Sequence, residues 1–286
     1  MQYSLLAMDL DGTLLNSRTQ ISAANIAAIQ EFRARGGSVV ICSGRSPLST
    51  RWIAANVGLT EPIITYNGAI LQEADGRVLE SAALKHPAIL ALLEECRARC
   101  FYVQLYEGDT LLISERNRMN GRWVENNIPD LGVRGIAPGL LEDYRRQCRV
   151  QLVGDLAEYV RKARPEIAKI AIFRRDGGTL EDFADQLAQR ADWYEASSSL
   201  NFHNLEIAPA GFSKASALLR LADRLGVPTD RVAAIGDNYN DLGMLQAAAF
   251  GIAMGNAPEP VRAAADGVSE IQDRDGLALA IRNYLL

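Results

Sequence analysis

Two acidic clusters hold the residue types best suited to chemistry in this chain. They are Asp9-Leu10-Asp11-Gly12-Thr13 near the start and Gly236-Asp237-Asn238-Tyr239-Asn240-Asp241 far downstream. Each follows an apolar run, Leu5-Leu6-Ala7-Met8 in the first case and Val232-Ala233-Ala234-Ile235 in the second. A short apolar run bounded by polar residues is the pattern of a strand buried on both faces. Each cluster is therefore expected where a buried strand ends and a loop begins, which in an open α/β sheet is where ligands bind. Four carboxylates gathered at one such edge would repel one another unless a cation neutralised them. The combination points to phosphoryl transfer with Mg²⁺ as cofactor.

Asp9 and Asp11 stand two apart on an extended chain, so their side chains leave on the same side. One carboxylate can attack phosphorus as a covalent nucleophile. The other can protonate the leaving oxygen and later activate water. Gly12 loosens the turn, and the Thr13 hydroxyl can bond a phosphate oxygen or fix the loop. A lone Asp-x-Asp is a common strand-to-turn junction; the five-residue string after an apolar run is more specific. Val39-Val40-Ile41-Cys42 is a second apolar run, followed by Ser43-Gly44-Arg45. A hydroxyl and backbone N–H groups at such a turn form an anion cradle, although these three residues alone read as an ordinary turn. Lys214 precedes the helical spacing of Leu218, Leu219, Leu221, Ala222 and Leu225. A lysine there can pair with the nucleophile and with a phosphate oxygen, stabilising transition-state charge. By itself it reads as a solvated first-turn lysine.

Taken in order, these four segments resemble the motifs of the haloacid dehalogenase superfamily, and its phosphatases in particular, because Asp occupies position 11. P-type ATPases carry Thr there. Ala215 stands where members often have Gly after the motif lysine. Two further strings, Ile63-Ile64-Thr65-Tyr66-Asn67-Gly68-Ala69 and Gly251-Ile252-Ala253-Met254-Gly255-Asn256-Ala257, look like the Cof-type hydrolases, whose type IIB cap is inserted after the third core strand. The resemblance implies Asp9 and Asp11 as catalytic residues. It implies Leu10, Ser43, Gly44, Lys214 and Asn240 as phosphate ligands, and Asp9, Asp11, Asp237 and Asp241 around Mg²⁺. Arg45 and Asn67 are expected to help position substrate.

Around the site, alternating strand and helix patterns predict a doubly wound, Rossmann-like α/β core. Ser22 is a candidate N-cap for a helix with Ile26, Ile29 and Phe32 as its buried stripe and Gly36 as its stop. The pattern changes near Leu84. Helical residues 88–100 precede the alternating strand Phe101–Tyr106, with Gly108 before its hairpin partner Thr110–Ser114. A strand over Ala168–Arg174 and a helix near 179–191 follow, and Pro209 and Gly211 mark a return linker. The core is thus expected over 1–83 and 209–286, with an inserted α+β cap over 84–208; residues 129–165 show no clear element. A cap over a phosphate site excludes water and selects the leaving group. Arg116, Asn117, Arg122, Trp123, Arg174 and Arg175 are its candidate substrate contacts, although Trp123 also reads as core packing.

Composition narrows the classes. The 286 residues suffice for a sizeable core. With 30 basic and 35 acidic residues the net charge is −5, and no basic stripe suggests a nucleic-acid surface. No apolar stretch approaches the ~18 residues of a membrane span, and no charged n-region or cleavage site is expected at the N-terminus, because Asp9 interrupts the first apolar run. Four cysteines without C-x-x-C spacing suggest reduced thiols in a cytoplasmic protein, and two histidines leave little for a zinc centre. The expected activity is Mg²⁺-dependent hydrolysis of small phosphomonoesters, sugar phosphates first, through an aspartyl phosphate. A phosphosugar mutase and a non-catalytic phosphosugar-binding regulator remain open, as does oligomeric state.

Overall fold

The computed structural model describes residues 2–128 and 139–286. In chain order its strands are β1 Leu5–Met8, β2 Ser38–Ile41, β3 Ile63–Thr65, β4 Ile70–Gln72, β5 Val78–Ser81, β6 Tyr102–Glu107 and β7 Thr110–Ile113. They continue with β8 Arg149–Leu152, β9 Lys169–Phe173, β10 Tyr194–Ser197, β11 Asn204–Pro209, β12 Val232–Gly236, β13 Phe250–Ala253 and β14 Gly267–Val268.

Five strands form a parallel sheet in the order β14-β13-β12-β1-β2. Alternation along β1 sends Leu6 and Met8 to one face, with Val39, Ile41 and Ile235. It sends Leu5 and Ala7 to the other, with Val40, Val232 and Ala234. Helices Ala23–Ala34 and Pro47–Asn56 cover the first face through Ile29, Phe32, Trp52 and Ile53. Helices Lys214–Arg224 and Tyr239–Ala247 cover the second through Leu218, Leu221, Met244 and Leu245. Burial on both faces explains why these strands read as unbroken apolar runs. β1 lies between β2 and β12, the point where strand order reverses, and a crevice opens there beyond the carboxyl ends.

Ser22 caps the first helix, accepting from the Asn25 N–H at 3.1 Å. Its buried stripe is Asn25, Ala28, Ile29 and Phe32, with the expected Ile26 only half-buried. Asn25 tolerates burial because its Oδ1 accepts from the Ala278 N–H at 3.0 Å.

A second, six-stranded sheet has the order β10-β11-β9-β6-β7-β8 and is antiparallel except for the β7–β8 pair. β6 and β7 form the expected hairpin, with Gly108 at φ +51°. The preceding helix runs His86–Ala98, ending before Cys100 at φ +57°. One sheet face packs Val103, Leu105, Ile170, Ile172, Leu205 and Ile207 against this helix and against Leu156–Ala163 and Glu181–Ala188. The other face carries Tyr102, Gln104 and Tyr106 of β6, Lys169 and Ala171 of β9, and Asn204 and Glu206 of β11. The unassigned stretch 129–165 lies outside the described residues up to 138; beyond it come helix Leu140–Gln147, β8 and helix Leu156–Ala163.

β3 does not simply end in a polar turn. Tyr66, Asn67 and Gly68 all take positive φ (48°, 55° and 99°), reversing the chain into β4 and β5.

Candidate active site

Asp9 leaves the end of β1 as a buried carboxylate, anchored by its N–H to the Ile235 carbonyl at 3.0 Å. Lys214 opens its helix under the Ser213 cap and reaches back to the same point. Its Nζ donates to Asp9 Oδ1 and to Asp241 Oδ1, both at 2.6 Å. The Lys214 and Asp241 side chains have no solvent exposure. Asp241 Oδ2 accepts from the N–H groups of Asp237 and Asn238 at 2.9 and 3.0 Å. Asp241 therefore does two things at once: it closes the capping box of helix Tyr239–Ala247 and it holds the lysine. Asp237 is held by Thr13, whose Oγ1 donates at 3.3 Å, and by Asn256, whose Nδ2 donates at 3.0 Å.

Carboxylate oxygens of Asp9, Asp237 and Asp241 lie within 4.8 Å of one another. Three buried carboxylates facing one ammonium leave excess negative charge, which favours protonation of the acids. Burial drives the Asp9 carboxyl up to about 7, against the pull of Lys214 and with help from Asp241 and Asp11. Burial, then Asp9 and Asp241, also raise Asp237 well above the carboxylate range. Desolvation opposes the charge on Lys214, but Asp241 and Asp9 outweigh it and raise its pKa. A hard divalent cation fits this all-oxygen donor set and would relieve its repulsion.

Asp11 is two-sided. It lines the cleft, yet its carboxylate turns from the acidic trio to Arg45, whose Nε and Nη2 each donate at 2.7 Å. Desolvation would raise its pKa, but the Arg45 charge and hydrogen bonds hold it below the usual range. With Arg45 on both of its carboxylate oxygens, Asp11 has its backbone carbonyl left to offer a cation. Arg45 Nη1 also donates to the Asn126 and Asn127 carbonyls at 2.7 and 3.2 Å.

Ser43 is buried, its N–H on the Ile64 carbonyl and its Oγ accepting from the Arg45 N–H at 3.1 Å. That leaves the hydroxyl proton free to donate. Gly44 lines the cleft, and a Cβ there would lie 2.9 Å from Glu206 and 3.0 Å from Asn67. Asn67 Nδ2 donates to Glu206 Oε2 at 2.7 Å, and Asn240 Nδ2 donates to Asn67 Oδ1 at 3.3 Å. The Leu10 side chain is fully buried in the core, so only its backbone can meet a phosphate.

The cleft lined by Asp9, Asp11, Gly44, Arg45, Asp237 and Asn240 measures about 340 Å³, with Lys214, Asp241 and Ser43 buried behind its wall. Trp123 lines it, packed against Tyr106 at 6.2 Å between ring centroids. Arg116, Asn117, Arg122, Arg174 and Arg175 do not. Arg116 and Arg122 are exposed, Arg174 pairs with Asp176, Arg175 with Glu115, and Asn117 closes a turn with Met119. Cationic side chains at strand ends and turns found local partners or water instead of the cleft. Sequence reasoning passed over Lys169, Glu206 and Asn256. The signal for the first two is a charged residue inside an otherwise apolar strand, as in Ala168-Lys169-Ile170-Ala171-Ile172 and Leu205-Glu206-Ile207.

The model of the haloacid dehalogenase-like hydrolases matches residues 6–281. Phosphatase YwpJ of Bacillus subtilis (strain 168) is 29% identical, over 98% of this chain and 99% of its own. The 5-amino-6-(5-phospho-D-ribitylamino)uracil phosphatase YcsE of the same organism is 27% identical, over 99% of this chain and 96% of its own. A solved haloacid dehalogenase-like hydrolase from B. subtilis superposes with a TM-score of 0.82 at 28% identity, covering 99% of this chain and 100% of the other. A match to the family model across nearly the whole chain, on this fold and this site, places the protein: it belongs to the haloacid dehalogenase-like hydrolases.

Proposed function

We propose that the protein is a Mg²⁺-dependent phosphatase of small phosphorylated metabolites, sugar phosphates first, working through an aspartyl phosphate. The observation that carries this is the buried Asp9–Lys214–Asp241 chain beside Asp237, opening into a cleft that also holds Asp11. Asp9 attacks phosphorus, the ester P–O bond breaks, and Asp11 gives its proton to the departing alkoxide. Water then attacks the phosphorus of the acyl phosphate, Asp11 takes its proton, and Asp9 is released. Lys214 aligns the attacking carboxylate. Ser43, the Gly44 and Leu10 backbone and Asn240 bond the phosphoryl oxygens. Asp9 and Asp237 would hold Mg²⁺ directly with Asp241 behind them, and the ion would neutralise charge on the phosphoryl oxygens. Arg45 holds Asp11 ionised in the resting site; as the ester binds the pair opens and Asp11 takes a proton from solvent, passes it to the alkoxide, and later returns to solvent the proton it takes from the attacking water. Residues 84–208 act as the cap that selects the leaving group over the core of 1–83 and 209–286.

The test is phosphate release from a panel of sugar phosphates, nucleotides and an aryl phosphate, with Mg²⁺ and with chelator. Release that needs the cation and disappears in Asp9→Asn, with an unchanged far-UV spectrum, is the expected outcome. Turnover retained by Asp9→Asn would contradict the mechanism.

A further inference from the structure

We propose that Lys169 and Glu206 determine specificity by holding the leaving alcohol of the ester, an inference that rests on the phosphatase function above. The cap sheet has one face packed on helices; its other face is polar yet buried. Gln104, Lys169, Asn204 and Glu206 are each no more than 6% exposed. Such a face would ordinarily be solvated; here Gly44 and Asn67 of the core meet Lys169 and Glu206, while Met119, Ser198 and Ser199 meet Gln104 and Asn204. Lys169 Nζ meets Glu206 Oε1 at 2.5 Å and donates to the Gly44 carbonyl at 2.7 Å, while Glu206 Oε2 accepts from Asn67 at 2.7 Å. A buried ion pair is a poor stabiliser, since well-packed apolar residues of similar volume serve as well or better. Its placement is the informative part, for both residues line the cleft of Asp9 and Asp11.

Each partner has capacity left. An ammonium has three donors and Lys169 uses two; a carboxylate has about four acceptor sites and Glu206 uses two. Beside them Tyr106 and Trp123 offer ring surface, with Lys169 Nζ 5.3 Å from the Tyr106 ring centroid. The subsite therefore fits a group with adjacent acceptor and donor atoms and a flat or apolar face. Neighbouring hydroxyls of a sugar and the N–H/C=O edge of a heterocycle share that chemistry.

The experiment compares Lys169→Met, Glu206→Gln and the double variant with the parent, each with Mg²⁺. It uses three substrates: acetyl phosphate, which lacks an alcohol, a hexose phosphate, and the phosphate of a heterocyclic alcohol. The double variant guards against misfolding caused by leaving one charge buried alone. The ratio of kcat/KM for the preferred ester to that for acetyl phosphate is expected to fall at least about tenfold, as for loss of a charge-assisted hydrogen bond, with the change mainly in KM. Which ester shows the fall identifies the source of the chemistry. An unchanged ratio overturns the proposal, whether both rates fall through the Gly44 loop or neither moves. Equilibrium binding of the same esters to Asp9→Asn protein separates the two claims. Ester binding that depends on Lys169 without turnover by the parent would sink hydrolysis and keep the subsite. Binding indifferent to Lys169 would sink the subsite alone.

Discussion

Lys214 is buried between the clustered carboxylates of Asp9 and Asp241, and its removal should be felt in stability as well as rate. Breaking a buried ion pair by deleting one partner costs about 3–5 kcal/mol. Lys214→Met is expected to destabilise the metal-free protein by that order, with part of the loss recovered when Mg²⁺ is added; calorimetric melts with and without the cation check this. Asp9 sets the pH dependence. Its carboxyl is raised from 3.8 to about 7 in the metal-free fold. A raised carboxyl contributes stability that is full below 3.8 and is lost as pH climbs through about 7. Metal-free protein should accordingly weaken across that window. Protons and cation compete for the same oxygens, so Mg²⁺ affinity should strengthen as pH rises through 7. Titration calorimetry at several pH values measures it, and an affinity flat from pH 5.5 to 8 would contradict the assignment of Asp9 as a ligand.

Elements bring these residues together through close backbone approaches. Gly12 sits at φ +86°, and a Cβ there would lie 2.2 Å from Asp237 Oδ2. Gly68, at φ +99°, would put a Cβ 2.2 Å from the Ser213 carbonyl, next to Lys214. Each Gly→Ala change forces a left-handed non-glycine residue, costing roughly 1–2 kcal/mol, and displaces one arm of the site. Gly12→Ala should weaken Mg²⁺ binding through the displaced Asp237 carboxylate, and Gly68→Ala, whose Cβ meets the Ser213 backbone, should lower both kcat and the melting temperature. The motifs at Asp9, Ser43 and Asp237 were legible because each sits straight after an apolar run, and a run buried on both faces has few other readings; Lys214 was legible by its place before a helical pattern. The Asx-rich turn around Asp237 was legible twice over, since Asp241 both closes the helix cap and holds Lys214. Among the cap candidates Trp123 lines the cleft, and Arg116, Asn117, Arg122, Arg174 and Arg175 do not. Arginine-rich turns such as Arg174-Arg175 attract attention, but long cations at element ends settle on nearby acids such as Asp176 and Glu115. Lys169 and Glu206 lie 37 residues apart and meet only through the β9–β11 pairing. Their significance depends on which sheet face the core covers, and strand alternation alone does not specify that.

At the scale of the whole molecule, the five- and six-stranded sheets meet over one cleft, and some of the contacts between their regions run through site residues. Arg45 ties Asp11 to the Asn126–Asn127 backbone, and Lys169 ties the cap sheet to Gly44. Among the described residues no helix is long and apolar enough to cross a membrane. A cation that binds only the folded form adds about 2.7 kcal/mol at a hundredfold excess over its Kd. Mg²⁺ should therefore raise the melting temperature by several degrees, reversibly with chelator, and the gain should shrink in Asp237→Asn. The central claim is that Asp9 itself carries the phosphoryl group. The direct measurement is rapid quench during turnover, borohydride reduction of any acyl phosphate, and peptide mass spectrometry. Homoserine at position 9, dependent on substrate and absent from Asp9→Asn, is the predicted result. Steady phosphate release with position 9 left as unmodified aspartate, or with label at another residue, would contradict it.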